Sequence, residues 1–265
     1  MVIAAGSART SLRLSSDERK AFEDDGFLVR RRVFLPDEIA CLADEANALL
    51  ERTDLIDKLN LRCRFQSHCV ADDCMFETFD PVIDIAPRCG KIAFDARILD
   101  LLADIYGEEA CLFKDKLIFK PPGAMGCGLH QDFIAWPDFP RTFATVLVPI
   151  DAATEENGCT EVFPGGHRRG CLSPEDGEYH ELSANLVDET RGVKLILEPG
   201  DIAIFGAFIP HRAAPNCSNS WRRQLYLSYN AVSDGGHQRA AHYREFHRFL
   251  RRKYADYGLV DTYFL

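Results

Sequence analysis

The tripeptide His130-Gln131-Asp132 is the sharpest local feature of the chain. In a strand, side chains two residues apart project to the same face, so this imidazole and this carboxylate can reach one metal ion. Far downstream, His211 follows the apolar stretch 202–205 and the turn-like Phe208-Ile209-Pro210. Two histidines and one carboxylate on one side of a metal make the facial triad of non-heme Fe(II) oxygenases, a set that leaves positions open for small molecules. Each residue alone is unremarkable, since His-x-Asp arises by chance and a single histidine is more often a surface or hydrogen-bonded residue. Arg222, eleven residues after His211, adds weight. An oxygenase of this kind needs a cation for the far carboxylate of its co-substrate, 2-oxoglutarate. A guanidinium matches a carboxylate bidentately and never loses its charge.

The elements that must position these residues fall into two textures. Ser15 and Glu18 read as a capping box opening a helix to about Asp25, which Gly26 ends. Pro36 and Asp37 open a second helix, with Ile39, Leu42, Ala46, Leu49 and Leu50 at helical spacing. Residues 54–90 show no sustained period and read as loops with short elements. Residues 93–106 read as a helix with Ile98, Leu101, Leu102 and Ile105 on one face. From about Cys111 short apolar segments alternate with turn signals, at 112–120, 142–151, 160–163, 192–197, 201–205 and 224–230. That rhythm predicts a sandwich or barrel. A last helix over 239–254 carries Tyr243, Phe246 and Leu250 on a common face. The expectation is a short flexible tail over 1–14 and one domain over 15–265.

Composition limits the partners. The chain has 265 residues, 31 Lys+Arg against 41 Asp+Glu, and a net charge of −10. A net acidic chain argues against a general binder of nucleic acid or of anionic membranes. No apolar run approaches the roughly 20 residues of a membrane span, and residues 1–14 lack the apolar core of a secretory signal. Ten scattered cysteines with no CxxC pair read as reduced core thiols, which points to the cytoplasm. A zinc site from Cys63, Cys69 and Cys74 would need irregular spacing. The partner expected is a small molecule, and the oligomeric state is left open.

The ordered set of motifs resembles the phytanoyl-CoA dioxygenase family of Fe(II)/2-oxoglutarate oxygenases. It comprises Phe22-Glu23-Asp24-Asp25-Gly26-Phe27-Leu28-Val29, Leu35-Pro36-Asp37-Glu38, Ile118-Phe119-Lys120-Pro121-Pro122-Gly123 and Leu129-His130-Gln131-Asp132. It continues through Glu156-Asn157-Gly158-Cys159, Phe163-Pro164-Gly165-Gly166-His167, Pro199-Gly200-Asp201, and Pro210-His211 with its trailing Arg222. The resemblance implies a mainly β fold with flanking helices: a double-stranded β-helix, a jelly-roll or cupin-like core, with a helical N-terminal layer. It implies Fe(II) on His130, Asp132 and His211, 2-oxoglutarate on Arg222, dioxygen as oxidant, and hydroxylation of a C–H bond with release of succinate and CO2. Relatives often carry Ser or Thr two residues after the distal histidine. Here that position is Ala213, and Thr145 is the candidate to supply the missing hydroxyl. A carboxylate at Asp132 also disfavours halogenation, which needs that position open.

For the substrate, Lys114, Lys116, Ile118 and Lys120 alternate on one face of the expected strand 112–120. Lys116, with Lys114 beside it, is then a candidate for an anionic partner, while Lys120 at the turn is expected to be exposed. Trp136 follows the metal motif and could wall the pocket or meet a quaternary amine. Tyr226 and Asn230 share the face of the Arg222 strand by even spacing. Arg62, Arg64 and His68 lie in the irregular region expected to cover the pocket. His167 reads as a turn residue, and His180, His237, His242 and His247 as solvent-exposed. The function expected is hydroxylation of a small anionic or zwitterionic metabolite, aminophosphonate- or amino-acid-like. A natural product or acyl substrate is the alternative. From other classes come a zinc hydrolase, which would have no use for Arg222, and a barrel that only binds.

Overall fold

The computed structural model describes residues 12–136 and 139–253, the last two of these by backbone only. Residues 1–11 of the expected tail therefore lie outside the described residues. Leu14 lies within them and is buried, with its N–H donating to Asp104 Oδ2 at 2.8 Å.

The N-terminal helices form where the caps and periods place them. α1 (Ser16–Asp25) starts on the Ser15/Glu18 capping box and stops at Gly26, whose φ of 82° favours glycine. β1 (Phe27–Arg30) follows, then α2 (Pro36–Leu50), which buries Ile39, Leu42, Ala46 and Leu49. The stretch expected as loops with short elements holds a hairpin, β2 (Cys63–Ser67) paired with β3 (Cys74–Phe79). The helix expected over 93–106 starts three residues later, and a separate short helix precedes it. α3 (Pro87–Ala93) ends before Asp95, which caps α4 (Ala96–Tyr106) by accepting the Arg97 N–H at 2.9 Å.

Eight further strands follow: β4 (Ala110–Ile118), β5 (Cys127–His130), β6 (Ala144–Pro149), β7 (Thr160–Val162), β8 (Val193–Lys194), β9 (Ile202–Gly206), β10 (His211–Ala213) and β11 (Gln224–Ala231). With β1, β2 and β3 they make two antiparallel sheets, a seven-stranded one ordered β1-β9-β6-β11-β4-β3-β2 and a four-stranded one ordered β5-β10-β7-β8. From β4 onward the chain passes repeatedly between the two sheets. The architecture is sheet-rich with flanking helices.

β6 and β11 are buried at every residue, so both faces of the large sheet are covered. Val146, Val148, Leu225, Leu227 and Tyr229 pack in one core with Ile39, Leu42, Ile98 and Leu102 of the helices. Their alternate neighbours Leu147 and Tyr226 join a second core with Val162 and Ile209 on the small-sheet side. Period-two alternation thus separates a helix-facing layer from a layer that faces the small sheet. Among the described residues no helix is long and apolar enough to cross a membrane.

α5 (Arg239–Lys253) returns across the end of this assembly and buries Tyr243, Phe246 and Leu250. Its anchor is Asp115, fully buried on β4. The carboxylate accepts the N–H groups of Val82 and Ile83 at 2.7 and 2.9 Å through Oδ1, and Arg239 Nε at 2.6 Å through Oδ2. The Tyr243 hydroxyl accepts the Asp115 N–H at 2.9 Å. Removing one member of such a buried charged network strands the others. Asp115→Ala should lose about 3–5 kcal/mol of unfolding free energy, read from urea denaturation. A loss below about 1 kcal/mol would refute the anchoring role.

Candidate active site

The two histidines meet because β5 and β10 are neighbours, with His130 directly opposite His211 in the register. Their ring centroids are 4.2 Å apart. His130 Nδ1 lies 2.8 Å from the Gly128 carbonyl, and His211 Nδ1 lies 3.0 Å from the Ile209 carbonyl. A carbonyl only accepts, so each Nδ1 carries a proton and the Nε2 of each ring, when neutral, holds the lone pair. Both Nε2 atoms approach Asp132 Oδ1, at 3.8 and 3.7 Å. Asp132 sits just past the end of β5, where the chain turns, so it shares the histidines' site by a turn as well as by strand alternation. The three donor atoms lie within 4.8 Å of one another. Two imidazoles and a carboxylate, each with a supporting hydrogen bond, suit a divalent transition metal.

Asp132 Oδ2 accepts from the Thr145 hydroxyl at 3.0 Å, and that hydroxyl lies 3.1 Å from Ser228 Oγ. Burial works to raise the Asp132 carboxyl, but His211, Lys116 and His130 together hold it below the ordinary carboxylate value. Burial and the charge of His130 lower His211 to about 4. A neutral His211 and an ionised Asp132 are the protonation states in which these groups bind metal.

The triad opens on a cavity of about 480 Å³ between the sheets. Arg222, just before β11, lines it and is buried. Its Nη1 donates to the Gly158 carbonyl, while Nε is buried with no partner among the described residues. Lys120 donates to the same Gly158 carbonyl at 2.9 Å and to that of Ala214. A β-carbon on Gly158 would sit 2.1 Å from Ala214 O and 2.5 Å from Lys120 Nζ, so only glycine fits beneath this cation pair.

Lys120 corrects the expectation of an exposed turn residue. It is 1% exposed, and its φ of 32° places it in the left-handed region, turning the chain as the segment before Pro121 closes. Glu77 lines the same end, and burial raises its carboxyl against the pull of Lys120 and Arg222. Ala213 lines the cavity without a hydroxyl, and the hydroxyl of Thr145 is engaged by Asp132 and Ser228 rather than by Arg222.

Of the substrate candidates, Lys116, Trp136, Tyr226 and Arg64 line the cavity. Lys116 extends over the Tyr226 ring, 5.0 Å from its centroid. Although burial disfavours its charge, Asp132 and Asp80 raise its pKa above the ordinary lysine value. Lys114 is paired with Asp80 at 3.1 Å. The Trp136 indole N–H donates to Gly177 O at 2.6 Å.

Three candidates are elsewhere. Asn230 lies at the far end of β11, where its amide bonds the carbonyls of Ala231, Asp234 and Gly236. Arg62 is buried against Pro81 O and Asp84. His68 Nδ1 accepts the N–H groups of Val70 and Ala71 within its own loop. Among the described residues Cys63, Cys69 and Cys74 form no metal-binding group. All ten cysteines are described, and none is in a disulfide. His242 and His247 were expected at the surface and are buried, and His242 lines the cavity, on the stripe it shares with Phe246 and Phe249 at helical spacing.

This geometry has clear relatives. The family model of phytanoyl-CoA dioxygenase (PhyH) matches residues 22–224. The chain belongs to that family. It is 35% identical over 172 residues to the methylphosphonate hydroxylase of Gimesia maris, covering 65% of this chain and 62% of that protein. It is 34% identical over 149 residues to the 2-aminoethylphosphonate dioxygenase of an uncultured bacterium, covering 56% and 54%. The chain thus spans less than two thirds of the length of either relative. EctD from S. alaskensis, solved with 2-oxoglutarate and 5-hydroxyectoine, superposes with a TM-score of 0.66 at 23% identity, over 87% of this chain and 80% of that one. At that identity the likeness is one of fold.

Lys120 yields a signed prediction. Burial, with the charge of Arg222, lowers its pKa from 10.5 to about 7. Between those values the unfolded chain holds a proton there that the folded chain lacks. Stability must therefore rise with pH across the window and be lost as pH falls. The unfolding free energy of wild type minus that of Lys120→Met, measured in urea, should rise from about pH 7 to about pH 9.5. A difference that stays flat would contradict the depressed lysine.

Proposed function

We propose that the protein is a non-heme Fe(II)- and 2-oxoglutarate-dependent dioxygenase that hydroxylates a small anionic or zwitterionic metabolite. The overall change converts R–H, O2 and 2-oxoglutarate to R–OH, succinate and CO2. One observation carries the reading: two imidazoles and one carboxylate converge at a cavity that also holds buried Arg222. His130, Asp132 and His211 would hold the iron, which supplies activation of dioxygen when bound. Arg222 would hold the far carboxylate of 2-oxoglutarate, its unpartnered Nε being a donor for that group. Lys120 would stand beside it, and Thr145 would orient Asp132.

Lys116 would orient the substrate. Among the described residues it is in no ion pair, unlike Lys114. An ammonium between the triad and the aromatic wall suits a phosphonate or carboxylate, and the phosphonate-acting relatives support that class. The chain's own work is to place one C–H bond beside the metal and to exclude water. The two sheets then form a double-stranded β-helix, with α2 and α4 as its helical N-terminal layer and residues 15–265 as one domain. Ten thiols outside any disulfide and an Fe(II) site suit a reduced compartment such as the cytoplasm.

Protein prepared anaerobically with Fe(II) and 2-oxoglutarate should form succinate on exposure to oxygen, stimulated by the right acid from a panel that includes methylphosphonate and 2-aminoethylphosphonate. Asp132→Ala should abolish turnover. Turnover that survives this change, or that needs zinc in place of iron, would sink the proposal. Arg222→Ala should raise the KM for 2-oxoglutarate about tenfold or more, with iron affinity within about twofold of wild type. Equal losses of both would remove the anchoring role.

A further inference from the structure

α5 does more than close the fold, because it contributes His242 to the cavity wall. The residue is 6% exposed and lines the same cavity as the triad. Among the described residues neither of its ring nitrogens has a hydrogen-bond partner. The imidazole is held among aromatic rings: Phe113 at 4.3 Å, Phe246 stacked at 5.6 Å and 13°, and Trp136 stacked at 5.8 Å and 29°. Rings fix its orientation but satisfy neither nitrogen. Buried polar groups are nearly always partnered, because an unmade hydrogen bond costs the full desolvation of the group. A doubly unpartnered imidazole in a cavity wall therefore leaves polar atoms for a ligand to satisfy.

The neighbouring charges narrow the ligand group. Lys114 lies 4.0 Å from the Phe246 ring centroid and is already paired with Asp80. Arg64 lies over the same ring at 5.0 Å. Burial, with the charge of Lys114, holds the His242 pKa well below its ordinary value, so the ring is neutral. A neutral imidazole offers one acceptor and one donor. Lys114 and Lys116, two apart on β4, stand roughly 7 Å apart along the strand. His242 thus belongs to the Lys114 end of the cavity, one strand repeat beyond the cation proposed to bind the substrate's anion.

We propose that His242 is a specificity-determining residue that hydrogen-bonds a donor-bearing group, hydroxyl or amino, on the substrate's tail, distal to the anion at Lys116. This rests on the reading of the cavity as the site of an anionic substrate. The aromatic wall of Trp136 and Phe246 would run along the apolar middle of such a molecule.

The test is anaerobic calorimetry of the Fe(II)- and 2-oxoglutarate-loaded protein, comparing wild type with His242→Leu. The probes are alkylphosphonates of two to four carbons and their ω-hydroxy and ω-amino counterparts. At the length that reaches the imidazole, one donor-bearing probe should bind wild type about tenfold more tightly than its plain alkyl partner. His242→Leu should erase that advantage and leave the plain alkyl probe within about twofold of wild type. An advantage that survives the substitution, or none at any length, overturns the proposal. Should no phosphonate bind wild type, the phosphonate reading fails, and thermal unfolding without substrate decides the role of His242. Leucine fills similar volume with no polar atom, so the melting temperature should hold or rise by a few degrees. A fall of several degrees would show a structural histidine and overturn the proposal.

Discussion

The structure around the cavity depends on one backbone pairing. Antiparallel registration of β5 with β10 sets His130 opposite His211. A carbonyl two residues before each histidine then fixes its tautomer. Neither strand is long, since β5 has four residues and β10 three. Their positions are held from outside, by the pairing of β10 with β7 and by the second core that joins Val162 and Ile209 to Leu147 and Tyr226 of the large sheet. The small sheet thus carries the candidate ligands, and the large sheet supplies the rigid wall against which they are oriented.

That wall also supplies the polar support. Thr145 on β6 and Ser228 on β11 are registered neighbours, and their hydroxyls meet beneath Asp132. The same two strands bury their alternate residues against the helices, so a single pleat serves the core on one side and the cavity on the other. This division explains how a chain of net charge −10 can line its cavity with Arg64, Lys114, Lys116, Lys120 and Arg222. The acidic excess lies elsewhere, and few carboxylates enter the cavity. Asp80 is paired to Lys114, Asp132 belongs to the triad, and burial raises Glu77.

Much of this was legible in the residues. The caps and spacing of α1, α2 and α4 are local signals, and a helix responds to local signals because its hydrogen bonds close within four residues. The strand rhythm after Cys111 and the grouping of His130, Asp132, His211 and Arg222 were equally plain, since motif order survives in one dimension. The β2–β3 hairpin was not, because its stability comes from pairing with β4 and from Phe76 and Phe79 packing on Phe119, not from periodicity. The short α3 and the start of α4 at the Asp95 cap were not legible either.

The chemistry of single side chains divides along the same line. Sequence alone determined which residue types were available, the two histidines, the carboxylate and the arginine, and the alternation that brought Lys116 and Tyr226 to one cavity. Only the tertiary structure decided which polar residues are spent on the fold. Asn230 and Arg62 are consumed by nearby carbonyls and a carboxylate, as a buried polar group must be. Lys120 is turned inward by a left-handed backbone onto carbonyls distant in sequence, and His242 is turned inward by the helix that covers the cavity. Burial and partnership are sums over residues remote in the chain, and no local pattern encodes such a sum.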